Sequence, residues 1–375
     1  MSGKKRVIIV GGGIIGSMHA VQAIQKGFAV THIERDIKPQ SASIRNFGLI
    51  WVSGRLAGAE LDLALRAREL WEEIGNIANI GYRSNGSLTI AQSEAEFEVM
   101  QEAVEMPDAG RRGFSLLTRS QTVDLEPALA GNYFGALRCS TDAAVEPPLL
   151  LGRLREFLSQ SPQYKWIPEF EVVDFFHNET GNHVSDKDGN KYSGDFLVIC
   201  AGAAHKGFIS EFLDKAPLRK VHLQMGATFA LPTKIGHSFA DADSLRYYPA
   251  FKDLSLEKLG AQAEIASKYK MQLLAVQRND GSITIGDTHE YEEPFSHELI
   301  EAPYEHLRGV ISNIFGKEAP LIERRWTGVY SQSTSDEIYI RRDIAPGATI
   351  VTGVGGRGNT LSPAIAEETV KSWEA

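Results

Sequence analysis

The run Val7-Ile8-Ile9-Val10-Gly11-Gly12-Gly13-Ile14-Ile15-Gly16 constrains this chain more than any other segment. An apolar stretch ends in a glycine turn, and the turn opens a helical pattern with Ile14, Met18, Val21 and Ile24 on one face that closes at Gly27. A strand, turn and helix in this order present the free N–H groups of a helix N-terminus beside a backbone that phosphates can approach. Gly11 supplies the turn dihedrals, Gly13 the close approach and Gly16 the tight seat of helix on strand. A second strand, Phe28 to Ile33, ends in Glu34. A carboxylate there is placed to accept hydrogen bonds from an adenosine ribose, and it disfavours a 2′-phosphate. These elements predict a dinucleotide-binding unit but do not separate a nicotinamide from a flavin.

A second glycine-rich stretch, Gly353-Val354-Gly355-Gly356-Arg357-Gly358-Asn359-Thr360-Leu361-Ser362-Pro363, points to the flavin. Reducing an isoalloxazine puts negative charge near N1 and the C2 carbonyl, which fixed backbone N–H groups or a helix N-terminus stabilise. The sequence predicts a helix from Ser362 or Pro363 onward, with Thr360 and Ser362 as its caps. An ordinary strand, glycine turn and helix is the bland alternative.

Composition narrows the class. With 375 residues and 43% hydrophobic content, the chain can bury two sizeable cores. Its net charge of −9 and lack of a long Lys/Arg run argue against nucleic acid as a partner. The two cysteines, Cys139 and Cys200, suit a reducing compartment and leave no disulfide framework or CxxC metal site. Lys4-Lys5-Arg6 before an apolar run imitates a leader, but the run breaks into glycines too soon. No apolar stretch approaches the roughly 18 to 20 residues that span a bilayer, so a cytoplasmic location is expected.

Midway, Gly194 to Ala203 reads as a continuous apolar strand ending in small residues, suited to the middle of a parallel sheet covered on both faces. The expected architecture is α/β: a discontinuous Rossmann-type FAD-binding domain from residues 1-80, 145-215 and 325-375, interleaved with a mixed antiparallel-sheet substrate domain from 81-144 and 216-324. Alternating runs such as Gly86 to Ala91 and Gly281 to Gly286, with the turn Asn279-Asp280-Gly281, carry the second part. Leu61, Ala64, Leu65, Trp71 and Ile74 form the core face of a helix and are assigned no chemistry.

From end to end the chain resembles the D-amino-acid oxidase superfamily of FAD-dependent amine oxidoreductases, which includes glycine oxidase and monomeric sarcosine oxidase. The residues that carry the resemblance are GGGIIG with Glu34-Arg35, Ser43-Ile44-Arg45-Asn46-Phe47-Gly48, the strand running into Cys200-Ala201-Gly202-Ala203, Ile285-Gly286-Asp287, Trp326-Thr327-Gly328 and the closing glycine stretch. Arg-Asn-Phe-Gly, Gly286-Asp287-Thr288-His289-Glu290-Tyr291 and Arg246-Tyr247-Tyr248 are similar to a clade associated with phosphonate catabolism. The resemblance implies FAD contacts from Gly11, Gly13, Ile14, Ile15, Gly16, Glu34 and Arg35 at the first turn. Further along it implies Ser43, Arg45, Asn46, Gly48, Val173, Ala201 and Gly202, then Gly353, Gly355, Gly356, Arg357, Gly358 and Thr360.

Glycine oxidase-like members carry an arginine two residues after the Gly of Trp-x-Gly, and it clamps the substrate carboxylate. Here that position is Tyr330, which cannot form a bidentate charged fork. Arg246, Arg357 and Arg45, with Arg324 or Arg325 behind them, remain as cations for an anionic substrate, each against the alternative of a surface or structural ion pair. Several arginines and tyrosyl hydroxyls suit a tetrahedral dianion better than one planar fork does. Gln224, His289, Tyr247, Tyr248 and Tyr330 are the other candidate substrate contacts, with Trp51 as a wall and His222 and Met225 close in sequence to Gln224. No general base is assigned, since hydride transfer from a neutral amine to flavin N5 needs positioning, desolvation and a stabilised ring. The expected partners are a small anionic amine, such as 2-aminoethylphosphonate or its N-methyl derivative, and oxygen or another electron acceptor. Three alternatives stay open: a glycine, sarcosine or D-amino-acid oxidase, a dehydrogenase, and a non-catalytic flavin-binding subunit. Lys270 is the lysine considered for a place near N5.

Overall fold

The computed structural model describes residues 4–374. Its six-stranded sheet runs in the order Ile340–Ala345, Ala348–Thr352, Phe196–Ile199, Arg6–Val10, Ala29–Ile33 and Tyr164–Ile167. All neighbours are parallel except the first pair, an antiparallel hairpin at the edge. The central strands are apolar throughout because both faces are covered. Val7, Ile9 and Val198 face the helices Ile14–Gln25, Ala59–Ile77, Pro147–Leu158 and Gly358–Ser372, whereas Ile8, Leu197 and Ile199 pack beneath a small sheet of Asp174–Asn178, Gly181–Ser185 and Lys191–Gly194. The alternation follows from the two-residue period of a strand. Gly194 thus ends a strand of the covering sheet, and the continuous strand expected from Gly194 onward begins at Phe196.

The second sheet has eight strands, ordered Ile322–Ser333, Leu218–Thr228, Ile283–Gly286, Leu274–Gln277, Ser238–Asp241, Ser87–Ala91, Gly135–Cys139 and Phe114–Thr118. All joins are antiparallel but one, between Ser238–Asp241 and Ser87–Ala91. Ile322–Ser333 crosses the boundary expected at 325 and lies wholly in this sheet. Its long pairing with Leu218–Thr228 carries Tyr330 opposite Val221.

The closing helix starts at Gly358, not at Ser362 or Pro363, and Thr360 and Ser362 lie inside it without capping. Pro363 has no N–H for the carbonyl four residues earlier, that of Asn359. The Trp71 indole Nε1 donates to that carbonyl at 2.9 Å. A neighbouring helix therefore satisfies the group that proline leaves free, and the helix runs a turn earlier than proline placement suggests. The face of Ala59–Ile77 that delivers Trp71 also buries Leu61, Ala64 and Ile74, as its spacing predicts, with Leu65 partly buried. Fully burying Leu61 or Ile74 contributes about 1.5 to 3 kcal/mol each, and the single methyl of Ala64 less.

Candidate active site

The first glycine turn is held by close backbone approach. Gly11 has φ +109°, and a Cβ there would lie 2.3 Å from the Cys200 carbonyl oxygen, while a Cβ on Gly16 would lie 1.9 Å from the Gly11 oxygen. Glu34, at the end of its strand and buried, accepts from Gly12 N–H at 2.6 Å and from Asp36 N–H at 3.1 Å. Ser43 Oγ accepts from Ile14 N–H at 2.9 Å, so residues 42–48 are tied directly to the helix N-terminus. Within that segment the Asn46 amide donates to the carbonyls of Ala42 and Ser43, and its Oδ1 accepts from Gly48 N–H. Gly48 adopts φ +71°, where a Cβ would meet the Val145 oxygen.

Two cavities open between the sheets. The larger, of about 580 Å³, is lined at one end by Ile14, Ser43, Arg45, Asn46 and the stretch Gly355 to Thr360, and elsewhere by Trp51, Arg55, Glu60, Arg246, Tyr247, Tyr248, Asp287, His289, Tyr291 and Tyr330. The second, of about 420 Å³, takes Arg35, Ser41, Arg45, Ala201, Lys220 and Glu293. Arg45 borders both, with Nε donating to Gln40 O and a terminal nitrogen to Thr327 O.

Of the expected contacts, Gln224 and Val173 border neither cavity, whereas Thr360 lines the larger one. Gln224 is buried away from both cavities, its side-chain oxygen accepting from Ile300 N–H. Val173 is 42% exposed, with its N–H donated to Ser185 O, and it borders neither cavity. Gly353, with φ +70°, shapes the approach to the closing helix, its carbonyl accepting from Ser333 N–H. Thr360 contributes its hydroxyl as acceptor for Trp51 N–H at 2.9 Å. Gly202 O accepts from the Thr352 hydroxyl. Lys270 is exposed and packs its ammonium on the Tyr291 ring at 4.5 Å without lining the cavity.

The cations divide by their partners. Arg246 lines the cavity but is ion-paired with Asp243 at 3.0 Å and donates to Gly260 O, so its charge is largely compensated. Arg324 is exposed and paired with Asp280, and Arg325 with Glu301. Arg357 instead meets Glu60 at 3.5 Å, and Arg55, which sequence reasoning missed, meets the same Glu60 oxygen at 3.4 Å. Two guanidiniums against one carboxylate leave this end of the cavity with surplus positive charge. Burial lowers the Arg357 pKa, the Glu60 carboxylate opposing the shift. Arg55 also stacks on the Tyr248 ring at 5.5 Å, and Trp51 leans on the same ring at 6.1 Å. Arg55 falls in a loop without a motif, and its only sequence signal is the acidic Glu60 shortly after it.

The aromatic wall is polar at its tips. His289 Nδ1 donates to Lys270 O at 2.8 Å, which leaves Nε2 to accept from the Tyr247 hydroxyl at 2.8 Å. Burial pushes the Tyr247, Tyr248 and Tyr330 hydroxyls above the ordinary tyrosine range, so they stay protonated donors at neutral pH. A Cβ on Gly356 would sit 3.7 Å from the Tyr330 hydroxyl, which therefore faces the closing glycine stretch.

The chain's own polar atoms test the fit of a flavin. The Asn359 amide is buried with neither its oxygen nor its nitrogen hydrogen-bonded, and it lines the larger cavity at the helix N-terminus. An isoalloxazine edge, with alternating donors and acceptors, fits that orphaned amide and the N-terminal end of the helix Gly358–Ser372. Glu34 and the first glycine turn fit the ribose and pyrophosphate.

A parallel sheet with a glycine-held strand-to-helix turn, opening on a cavity with a second glycine stretch and an antiparallel-sheet wall, is the arrangement of a nucleotide-binding α/β protein. The chain belongs to the DAO family, described as FAD dependent oxidoreductase, which matches residues 6–372. Membership makes it an FAD-dependent oxidoreductase, with FAD the cofactor that the family's description names. Among curated relatives it is similar to an opine oxidase component of Rhizobium meliloti, 31% identical over 147 residues, covering 36% of this chain and 39% of that one. The same opine oxidase component of Agrobacterium tumefaciens (strain Ach5) is 28% identical over 213 residues, covering 53% and 56%. The matched region thus spans from under half to just over half the length of these relatives. Solved structures of similar fold include glycine oxidase from Bacillus cereus ATCC 14579, at 20% identity and TM-score 0.78 over 99% of this chain and 95% of that one. L-alpha-glycerophosphate oxidase from Mycoplasma pneumoniae with FAD bound has 16% identity and TM-score 0.75 over 100% and 95%. At such identities the likeness is one of fold. Among the described residues no helix is long and apolar enough to cross a membrane.

Proposed function

We propose that the chain oxidises a small amine that carries an anionic group, with an aminophosphonate such as 2-aminoethylphosphonate or its N-methyl derivative as the substrate class. The observation that carries this reading is the pair Arg55 and Arg357 converging on one Glu60 oxygen in the cavity wall, beside tyrosyl hydroxyls and without an arginine at position 330. Tetrahedral anions accept from several donors at once, which suits this set better than a single planar fork.

Bound FAD supplies the two-electron acceptor. The chain's own residues do the rest: Arg55 and Arg357 hold the anionic end, Trp51 and the Tyr248 ring wall the cavity against water, and the Tyr247 and Tyr330 hydroxyls orient the amine. Burial in this cavity favours the neutral amine, the form from which a hydride can leave the α-carbon. The resulting imine takes up water and yields an aldehyde and ammonia, or methylamine from the N-methyl substrate. The experiment is aerobic turnover of 2-aminoethylphosphonate with trapping of the aldehyde as a hydrazone. A phosphonate-bearing hydrazone supports the reading, and turnover of glycine, sarcosine or D-alanine alone overturns it. A second reading, an amino-acid dehydrogenase, draws on a likeness to the D-amino acid dehydrogenase of Helicobacter pylori, 21% identical over 254 residues, 53% of this chain and 60% of that one. Peroxide yield against reduction of an artificial acceptor separates oxidase from dehydrogenase.

A further inference from the structure

Asp287 follows the strand Ile283–Gly286 and lines the larger cavity. It is 8% exposed, and its Oδ1 is buried without a hydrogen-bond partner. The nearest imidazole does not relieve it. His289 Nε2 stands 3.7 Å from Asp287 Oδ2, beyond a hydrogen bond, and already accepts from Tyr247, while Nδ1 carries the ring proton toward Lys270 O. His289 is thus turned to Tyr247 and Lys270, with no N–H within hydrogen-bond distance of this carboxyl. Of the cavity's guanidiniums, Arg55 and the half-buried Arg357 are engaged with Glu60, and Arg246 with Asp243.

A buried carboxyl without a hydrogen-bond donor or a cation is unfavourable as a charge, so it either stays protonated or meets a cation in the cavity. Burial pushes its pKa up, His289 pulling the other way, and it acts in turn on the Tyr247, Tyr248 and Tyr330 hydroxyls that share the cavity. Tyr248 borders both charged regions, with the Arg55 guanidinium over its ring and the Asp287 carboxyl within electrostatic reach of its hydroxyl.

We infer that the Asp287 carboxylate receives the ammonium group of the substrate and takes one proton from it, leaving the neutral amine from which the hydride departs, so that the cavity selects molecules with a cation at this carboxyl and an anion at Arg55 and Arg357. This rests on the reading of the cavity as an amine site and adds the group that distinguishes an amine from an isosteric alcohol or alkyl anion. The substrate class is accordingly zwitterionic, and an uncharged hydroxyl in place of the amine leaves Asp287 unanswered.

The test uses the purified FAD-loaded protein and two matched pairs, 2-aminoethylphosphonate with ethylphosphonate and glycine with acetate. Amine-free members are titrated by perturbation of the flavin spectrum, and amines by anaerobic flavin reduction. In Asp287→Asn the apparent constant for the amine rises about tenfold or more, as loss of a charge-assisted hydrogen bond implies, while that for the amine-free partner stays within about twofold. Equal losses for both members, or no loss for the amine, overturn the inference, as does a wild-type protein that binds the anions and refuses both amines. If wild-type protein binds only the glycine and acetate pair, the phosphonate reading falls while Asp287 is still judged on that pair. If Asp287→Asn loses its flavin, wild-type protein is titrated with 2-hydroxyethylphosphonate. Binding about tenfold weaker than that of the amine upholds the role, and equal binding overturns it.

Discussion

Glu34 Oε2 accepts a hydrogen bond from the Gly12 N–H at 2.6 Å, which joins the tip of the second strand to the centre of the first glycine turn. One carboxylate thereby braces the glycine turn, and its proposed further role is to hold the ribose of the cofactor. Glu34→Ala is expected to purify largely as apoprotein and to regain its flavin absorbance only at raised FAD, whereas unchanged flavin content removes Glu34 from the site.

Gly16 is the point at which the first helix touches its own turn. Because a Cβ would lie 1.9 Å from the Gly11 oxygen, which is backbone and cannot swing aside, Gly16→Ala must displace the helix. A loss of at least about 2 kcal/mol is expected, seen as a lower melting temperature of both apo and FAD-loaded protein. An unchanged melting temperature contradicts the close packing.

Arg55 and Arg357 share Glu60, so they are expected to act as a unit. Arg55→Met or Arg357→Met raises the apparent constant for an anionic amine by on the order of tenfold, and the double variant falls short of the product of the two. Arg246→Met, whose guanidinium is committed to Asp243, changes it less. Steady-state kinetics with 2-aminoethylphosphonate decide the order, and a larger effect at Arg246 relocates the anion pocket.

His32 lies under the glycine turn, with Nε2 3.0 Å from Gly11 O and Nδ1 3.0 Å from the Tyr164 hydroxyl. The carbonyl takes the Nε2 proton and the hydroxyl donates to Nδ1, so the ring is neutral, and burial pulls its pKa from 6.5 to about 4. The unfolded chain takes up a proton as pH falls through 6.5 while the folded chain holds out until about 4, so stability is lost across that window and not above it. At pH 5 the loss relative to pH 7 is on the order of 2 kcal/mol for this one group. Denaturant unfolding of His32→Gln is expected to show a weaker decline between those pH values than wild type, and parallel curves contradict the assignment.

The first strand, glycine turn and helix were legible because their constraints are local: glycine dihedrals, a helix N-terminus and an acid at a strand tip each leave a mark within a short segment. The turn Asn279-Asp280-Gly281 was readable for the same reason. Arg55 was not, since its role arises only when the fold brings Arg357 to Glu60. Asp287 stood within a string that drew attention to His289, but its lack of a partner is a fact of three dimensions. The closing helix misled through Pro363, whose disruption is cancelled by an indole from a distant helix. Gln224 pointed the other way: a polar residue near the right strand turned out to satisfy the backbone of Ile300.

Anaerobic mixing of the FAD-loaded protein with 2-aminoethylphosphonate, its N-methyl derivative, glycine, sarcosine and D-alanine in turn, followed by the flavin spectrum, tests the central claim most directly. Bleaching by the aminophosphonates and not by the amino acids is the predicted result. Bleaching by an amino acid alone, or by none of the five, contradicts it.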